Sequence, residues 1–548
     1  MTQPELLTKD EPLFWSTGKG TDAWKMFYAA AKGDLQTIKE LLAQDPSLIR
    51  SEFDYRNAMS FAVRENQPAV VEYLLSKNSN PVNSGNDDTL LQIAKDRRYT
   101  AIEQMLEKAT GTKSTPGGDR IAEAIRSRDI EKVRALLDAS PELIHAKDGY
   151  TNQPIHWAVM TRQPGMIDEL LKRGADINAK RFDGARPLQL TNGDYGYRGW
   201  RDVPKDTVAT PNDIYKLLVA RGAWLDINMA ALKGNIERVR ALLDEDPSLI
   251  NKNDEYVTYY PGSGSPIKNA VLSRNINMVA LLLERGADPN IPEEGIAPRG
   301  HALHSAVCNG DIEIVKLLLE HGAYPSVPIE SSADTLSAAM ANNDQPMIEL
   351  LCSYGAARPV NLLAYSGDIE TAAAVFEASP SKADDAYALE CAAGQGHDAF
   401  VRLMLHYQPG LASKIAVGVA AQGPQDTTKS RALTEYLFQH GMNPNFKNWL
   451  GVTPLHHFAR RGDMDSAKIF IEHGADVNAI DEEFYSTPLG YAAKHGKKEM
   501  VELLLKNGAD PNLPATPAWA KPLQWAGRRG HGDVVNLLKE YGAGDDGK

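Results

Sequence analysis

The chain has 548 residues, 43% hydrophobic and 24% charged, proportions of a folded soluble protein that leave no room for a long disordered segment. A formal net charge of −13 argues against nucleic acid as the main partner, because phosphate binding needs a basic stripe. No apolar run approaches the ~20 residues that cross a bilayer, and the polar, acidic opening MTQPELLTKDEP lacks the apolar core of a signal peptide. The three cysteines, Cys308, Cys352 and Cys391, fall in apolar helical runs without disulfide or metal-ligand spacing, so reduced, buried thiols in a cytoplasmic protein are expected, with no membrane partner.

In chain order, residues 1–21 read as a capping segment, with Phe14 and Trp15 placed to cover an apolar end. Asp22–Leu42 is a first helix pair, with Asp22 as N-cap and Met26, Phe27, Ala30 and Ala31 at helical spacing. Asn57–Leu75 and Asp88–Leu106 complete a block over residues 22–109. The Gly-, Ser-, Thr- and Pro-rich stretch at 110–118 (TGTKSTPGG) is a linker or long finger; its GTKST lacks the glycine spacing of a phosphate loop. Helix pairs resume through 119–358, where Arg186–Asp226 keeps two helices but separates them by an insertion, 192–211. Residues 359–450 hold degenerate pairs, and 451–548 regular ones. Basic pairs such as Arg97-Arg98, Arg460-Arg461 and Arg528-Arg529 fall near the ends of first helices, where they complement the helix dipole.

The most regular unit, Thr453–Asn478 (TPLHHFARRGDMDSAKIFIEHGADVN), exposes the design. Leu455, His457, Phe458 and Ala459 are expected to face inward from one short helix, and Ala467, Ile469, Phe470 and Ile471 from a second. Gly474 falls where a helix end needs a left-handed residue. The unit recurs at Thr487–Asn512 (TPLGYAAKHGKKEMVELLLKNGADPN), close to a ~33-residue period. T-P-L-H…G…LL…GAD-x-N resembles the ankyrin signature. The resemblance implies an all-α ankyrin-repeat solenoid of about sixteen helix-turn-helix units with finger loops. It also implies structural roles for His156, His304 and His456, and a concave surface of fingers and first helices that binds partners.

Function is sought where the chain departs from a plain array. Four enlarged segments fall close together, at Asn192–Pro211, Asp254–Gly264, Pro292–Gly300 and Pro328–Ser332. Tyr195, Tyr197, Arg198, Trp200, Arg201, Tyr256, Tyr259 and Tyr260, with Lys268 and Arg299, are candidate ligand-binding residues, because Trp, Tyr and Arg dominate binding hot spots. The same rings could equally pack the insertions onto the helices. Candidate catalytic groups are Asp194, Asp202, Glu255, Glu293, Glu294, His301, His304, Glu330 and Asp334. Paired carboxylates among aromatics suit a sugar, and a carboxylate beside His301 suits proton transfer. Two expectations stand side by side: an interaction scaffold binding a protein or peptide in the concave face of the central repeats, or an enzyme or small-ligand receptor, carbohydrate being the best guess. No cofactor or metal is implied.

Overall fold

A computed structural model describes residues 1–13, 16–77, 79–81, 88–110, 115–181, 183–194, 197–254, 260–291, 301–326, 328–329, 333–418 and 427–544. Phe14 and Trp15 lie outside them. Among these residues the chain is a succession of short α-helices joined by tight turns; strand is confined to two-residue ribbons, such as Pro328–Ile329 with Ala333–Asp334 in a finger. No described helix is long and apolar enough to cross a membrane. The chain divides into two compact units, residues 9–357 and residues 1–8 with 358–548.

In the second unit, Pro454–Arg461 pairs with Met464–Glu472, Pro488–Lys494 with Lys498–Lys506, and Pro522–Arg528 with Gly532–Glu540. Helices this short are marginal alone in water, so stacking must hold them. Leu455, Phe470, Leu489, Leu504 and Trp525 are accordingly buried in one continuous core. Residues 1–8 belong to this unit, the Thr2 amide donating to the Trp449 carbonyl at 3.0 Å. The first unit repeats the scheme, from Gly20–Lys32 with Leu35–Gln44 to Thr335–Ala341 with Gln345–Ser353.

Two hydrogen-bond devices tie neighbouring repeats together. At the start of a first helix, the N-cap amide of Thr453 donates to His456 Nδ1 at 3.2 Å, and Nε2 of the same ring meets the Ser486 carbonyl of the next finger, also at 3.2 Å. Gln153, His156 and the Ala179 carbonyl repeat this at 2.9 and 3.0 Å. His156 and His456 are thus structural, as the resemblance implied. At the end of a second helix the asparagine of GAD-x-N bridges forward. Asn478 donates from Nδ2 to the Gly508 carbonyl (3.1 Å) and accepts the Asp510 amide (2.8 Å), and Asn512 does the same with Gly542 and Gly544. Each net hydrogen bond contributes about 1 kcal/mol, so Asn478→Ala should cost about 1–2 kcal/mol. The midpoint of chemical denaturation reads this, and an unmoved midpoint would remove the bridge from the account of stability.

Glycine closes the second helices: Gly474 has φ +86°, with the Ala475 amide returning to the Phe470 carbonyl at 2.9 Å. Asp22, expected as an N-cap, instead lies in the first turn of Gly20–Lys32, because the helix begins two residues earlier, after Lys19. The cysteines also differ from expectation, for Cys308 and Cys352 are exposed and Cys391, packed against the core, is only half-buried. The basic pairs fall as expected, with Arg460 and Arg461 in the last turn of Pro454–Arg461. The repeat holding the insertion departs from two full helices. Its first helix is cut to the 3-10 turn Pro187–Leu190, and Gly193 (φ +87°) then turns the chain so tightly that a Cβ there would meet the Tyr197 carbonyl. The insertion adds a short helix of its own, Gly199–Asp202.

Candidate functional site

The insertion is organised by Asp194. Its amide donates to the Tyr197 carbonyl (2.8 Å) and its Oδ1 accepts the Tyr197 amide (2.6 Å), closing a tight loop. Oδ2 receives Nη1 of Arg181 at 2.6 Å. Arg181 also pairs with Asp183 at 3.2 Å, and the hydroxyl of Tyr260 donates to the same carboxylate at 2.7 Å. All of these side chains are buried, Asp194 at 6% and Arg181 at 8% exposure. Burial alone would lower the Arg181 pKa, but Asp183, Tyr260 and Asp194 outweigh it and hold the guanidinium charged. Burial, and then the neighbouring carboxylates, push the Tyr260 phenol up, so it stays a neutral donor.

The rest of the insertion packs backwards onto earlier repeats. Tyr197 is edge-on to Trp157, ring centroids 5.4 Å apart, and its hydroxyl donates to the Asp202 carbonyl at 3.1 Å. Arg162 donates to Asn192 (2.8 Å) and Arg128 to Thr207 (2.9 Å). Asp202 accepts the Arg198 amide at 2.8 Å and binds Arg201 through two nitrogens at 2.8 and 2.9 Å. The Arg201 guanidinium, foremost by that hydrogen bond, keeps its carboxyl below the usual range. Trp200 makes the opposite use of its ring, standing 70% exposed.

A second group lies further along the unit. Lys268 and His301 are buried, and Lys268, His304 and Asp288 are close enough to His301 to act on its charge. Burial foremost drives the His301 ring down to about 4, so it is neutral at pH 7. His304 sits one turn before Cys308, its Nε2 3.5 Å from the sulfur. Asp334 is buried and caps Thr335–Ala341, taking the Ser337 amide at 2.6 Å. Asp254 receives the Gly264 amide and holds the base of its finger together. Tyr195, Glu255, Tyr256, Tyr259, Glu293, Glu294, Arg299 and Glu330 lie outside the described residues. The structure therefore gathers Asp194 with Tyr260, Tyr197 with Asp202, and Lys268 with His301 and His304. It also adds Arg181 and Asp183, which pair with each other and reach beyond their own finger to Asp194 in the insertion and Tyr260 in a later finger, contacts that no local spacing marks.

Helix pairs stacked through N-cap histidines and GAD-x-N asparagines define a class of protein, the helical repeat scaffold. Residues 26–116 and 417–515 match a family profile for ankyrin repeats in three copies, and residues 152–181 and 301–328 a single ankyrin repeat. The chain is an ankyrin-repeat protein. It is similar to the E3 ubiquitin-protein ligase XBAT32 of Arabidopsis thaliana, 29% identical over 34% of this chain and 34% of that protein. Zygote-specific protein 3 of Chlamydomonas reinhardtii is 35% identical over 18% of this chain and 27% of its own length. The human transient receptor potential cation channel subfamily A member 1 is 24% identical over 29% and 16%. The chain spans about a third of the length of the first curated relatives it matches.

Proposed function

We propose that the chain is an interaction scaffold that binds a protein or peptide partner through the concave face of its central repeats, in the cytoplasm. Ankyrin repeats generally mediate protein–protein binding. The observation that carries the reading for this chain is how its candidate groups are used. Asp194 and Asp202, the acids of the insertion, are each held by an arginine and close backbone turns, while Trp200 beside them is left to solvent. An exposed ring on a pinned segment is what a binding surface needs, because it gives large contact area at little entropic cost. The same arginines and backbone amides occupy both carboxylates structurally, so the insertion adds nothing to the enzyme reading. Nucleic acid and membrane have no place in the proposal.

The test is a random-peptide array probed with the labelled full chain, followed by titration of a selected peptide. Trp200→Ala should weaken that peptide about 10-fold or more, as hot-spot truncations do, without moving the thermal midpoint. An array with no selected sequence would refute the scaffold reading; unchanged affinity in Trp200→Ala would move the surface away from the insertion.

A further inference from the structure

Two junctions between repeats lack a finger. About a dozen residues separate Gly474 from the next N-cap, Thr487, but after Gly355 only Ala356, Ala357 and Arg358 precede Pro359, and after Gly222 only Ala223, Trp224 and Leu225 precede the N-cap Asp226. The fingers on either side, around Lys180–Arg186 and Lys252–Asp254, consequently flank a cavity of about 320 Å³. That is the lower end of the range for small-ligand pockets. Trp224 stands where other repeats carry the aspartate of GAD-x-N. Its amide is anchored by Asn178 at 2.8 Å, and its ring is partly exposed under the Arg186 guanidinium, 4.4 Å from the centroid.

The free hydrogen-bonding capacity of this notch is unevenly shared. Arg238 uses Nε on the Leu225 carbonyl at 3.2 Å, and among the described residues neither Arg238 nor Arg186 has a carboxylate within ion-pair distance. Of the four acids of the wall, Asp226 takes the Met229 amide, Asp246 the Ser248 amide and Asp254 the Gly264 amide, and Glu245 is the fourth. Asn228, 4% exposed, is on the wall with Oδ1 unpartnered among the described residues, although its Nδ2 donates to the Lys252 carbonyl. A buried acceptor without a donor costs free energy that a bound N–H would recover.

We propose that this notch binds a carboxylate-bearing peptide, the carboxylate engaged by Arg186 and Arg238 and a neighbouring peptide N–H by Asn228 Oδ1. Arginine pairs suit a carboxylate because their planar forks match its two oxygens. The carboxylate can come from an acidic side chain or from a chain end. The inference rests on the scaffold reading and adds to it the chemistry of one anchoring contact.

Two sets of measurements test it. In the first, the full chain is titrated with acetyl-Ala-Glu-Ala-amide, with acetyl-Ala-Ala-Ala bearing a free terminal carboxylate, with acetyl-Ala-Gln-Ala-amide and with inorganic phosphate. Saturable binding of one or both carboxylate peptides is expected, and which of the two binds identifies the source. Loss of one charge-assisted bond is about a 10-fold effect, so the glutamine peptide should be weaker by that factor. So should the glutamate peptide methylated at its backbone nitrogens, and the same probe on Arg186→Gln or Arg238→Gln. Equal binding of the Glu and Gln peptides, displacement by phosphate as effective as by peptide, or no binding at all overturns the proposal. Comparing the peptides on the unaltered chain decides the matter even if a variant misfolds. In the second, the random-peptide array is repeated with Arg186→Gln. A selection from the unaltered chain with no acidic preference, or one unchanged by the substitution, sinks the notch while leaving the scaffold reading intact; an array that selects nothing sinks the scaffold reading itself.

Discussion

Asp194→Ala is expected to destabilise the first unit by about 3 kcal/mol or more, the usual cost of removing one partner from a buried ion pair. The reasoning turns on what is left behind. Arg181 is 8% exposed and cannot shed its proton, so Asp194→Ala takes away one of the two carboxylates that compensate it here, leaving Asp183, which also serves Tyr260. Substitution removes the acceptor for the Tyr197 amide as well, opening the loop that sets Tyr197 against Trp157. Asp202→Ala is the matched control on the same insertion, since its partner Arg201 is exposed and surface pairs contribute little. Denaturation monitored by Trp fluorescence should show a large shift for Asp194→Ala and a small one for Asp202→Ala. Equal shifts would mean that the Arg181 cluster does not hold the insertion.

That contrast marks how far the sequence could be read. Helical periodicity, the TPLH starts and the Gly474 stop are local signals, each satisfied within a few residues, and they mark the regular helix pairs, whereas the 3-10 turn Pro187–Leu190 and the start at Gly20 escape them. Other local signals lie outside the repeat signature. Asp-Pro-Ser-Leu-Ile occurs at 45–49 and 246–250, with Ser-Pro-Glu-Leu-Ile at 140–144, and each forms a 3-10 turn after a second helix. The missing finger after Gly222 is legible by counting alone. What could not be read was pairing across fingers. Asp194 and Asp202 look alike as insertion acids, yet one meets an arginine 13 residues away in the preceding finger and is buried, whereas the other meets the adjacent residue in solvent. Exposure of the cysteines was equally hidden, because an apolar run says that a helix is amphipathic without fixing which side a single residue takes.

Acidification should unfold the repeats through their histidines before the carboxylates titrate. His156 and His456 each use both ring nitrogens: Nδ1 accepts the N-cap amide, so the proton must reside on Nε2, which donates to the next finger's carbonyl. Only the neutral ring can do this, since protonation turns the Nδ1 acceptor into a donor facing another N–H. Burial foremost, with Arg181 next, holds His156 down to about 3, against a weaker pull upward from the Ala179 carbonyl and Asp194. His456 is lowered in the same direction, again mainly by burial, and His301 to about 4. The sign follows from proton uptake. The unfolded chain protonates these rings near pH 6.5 and the folded chain far lower, so stability is intact above 6.5 and lost as pH falls toward 4 to 3. For His156 and His301 the loss is ~1.4 kcal/mol per pH unit, or about 2 kcal/mol for each by pH 5, and His456 adds to it in the same direction. Urea midpoints at pH 7, 6 and 5 should therefore fall steadily, and His156→Gln, though less stable at pH 7, should show a shallower slope. A midpoint that is flat from pH 7 to 5, or a slope untouched by His156→Gln, would show that these rings do not carry the acid sensitivity of the stack.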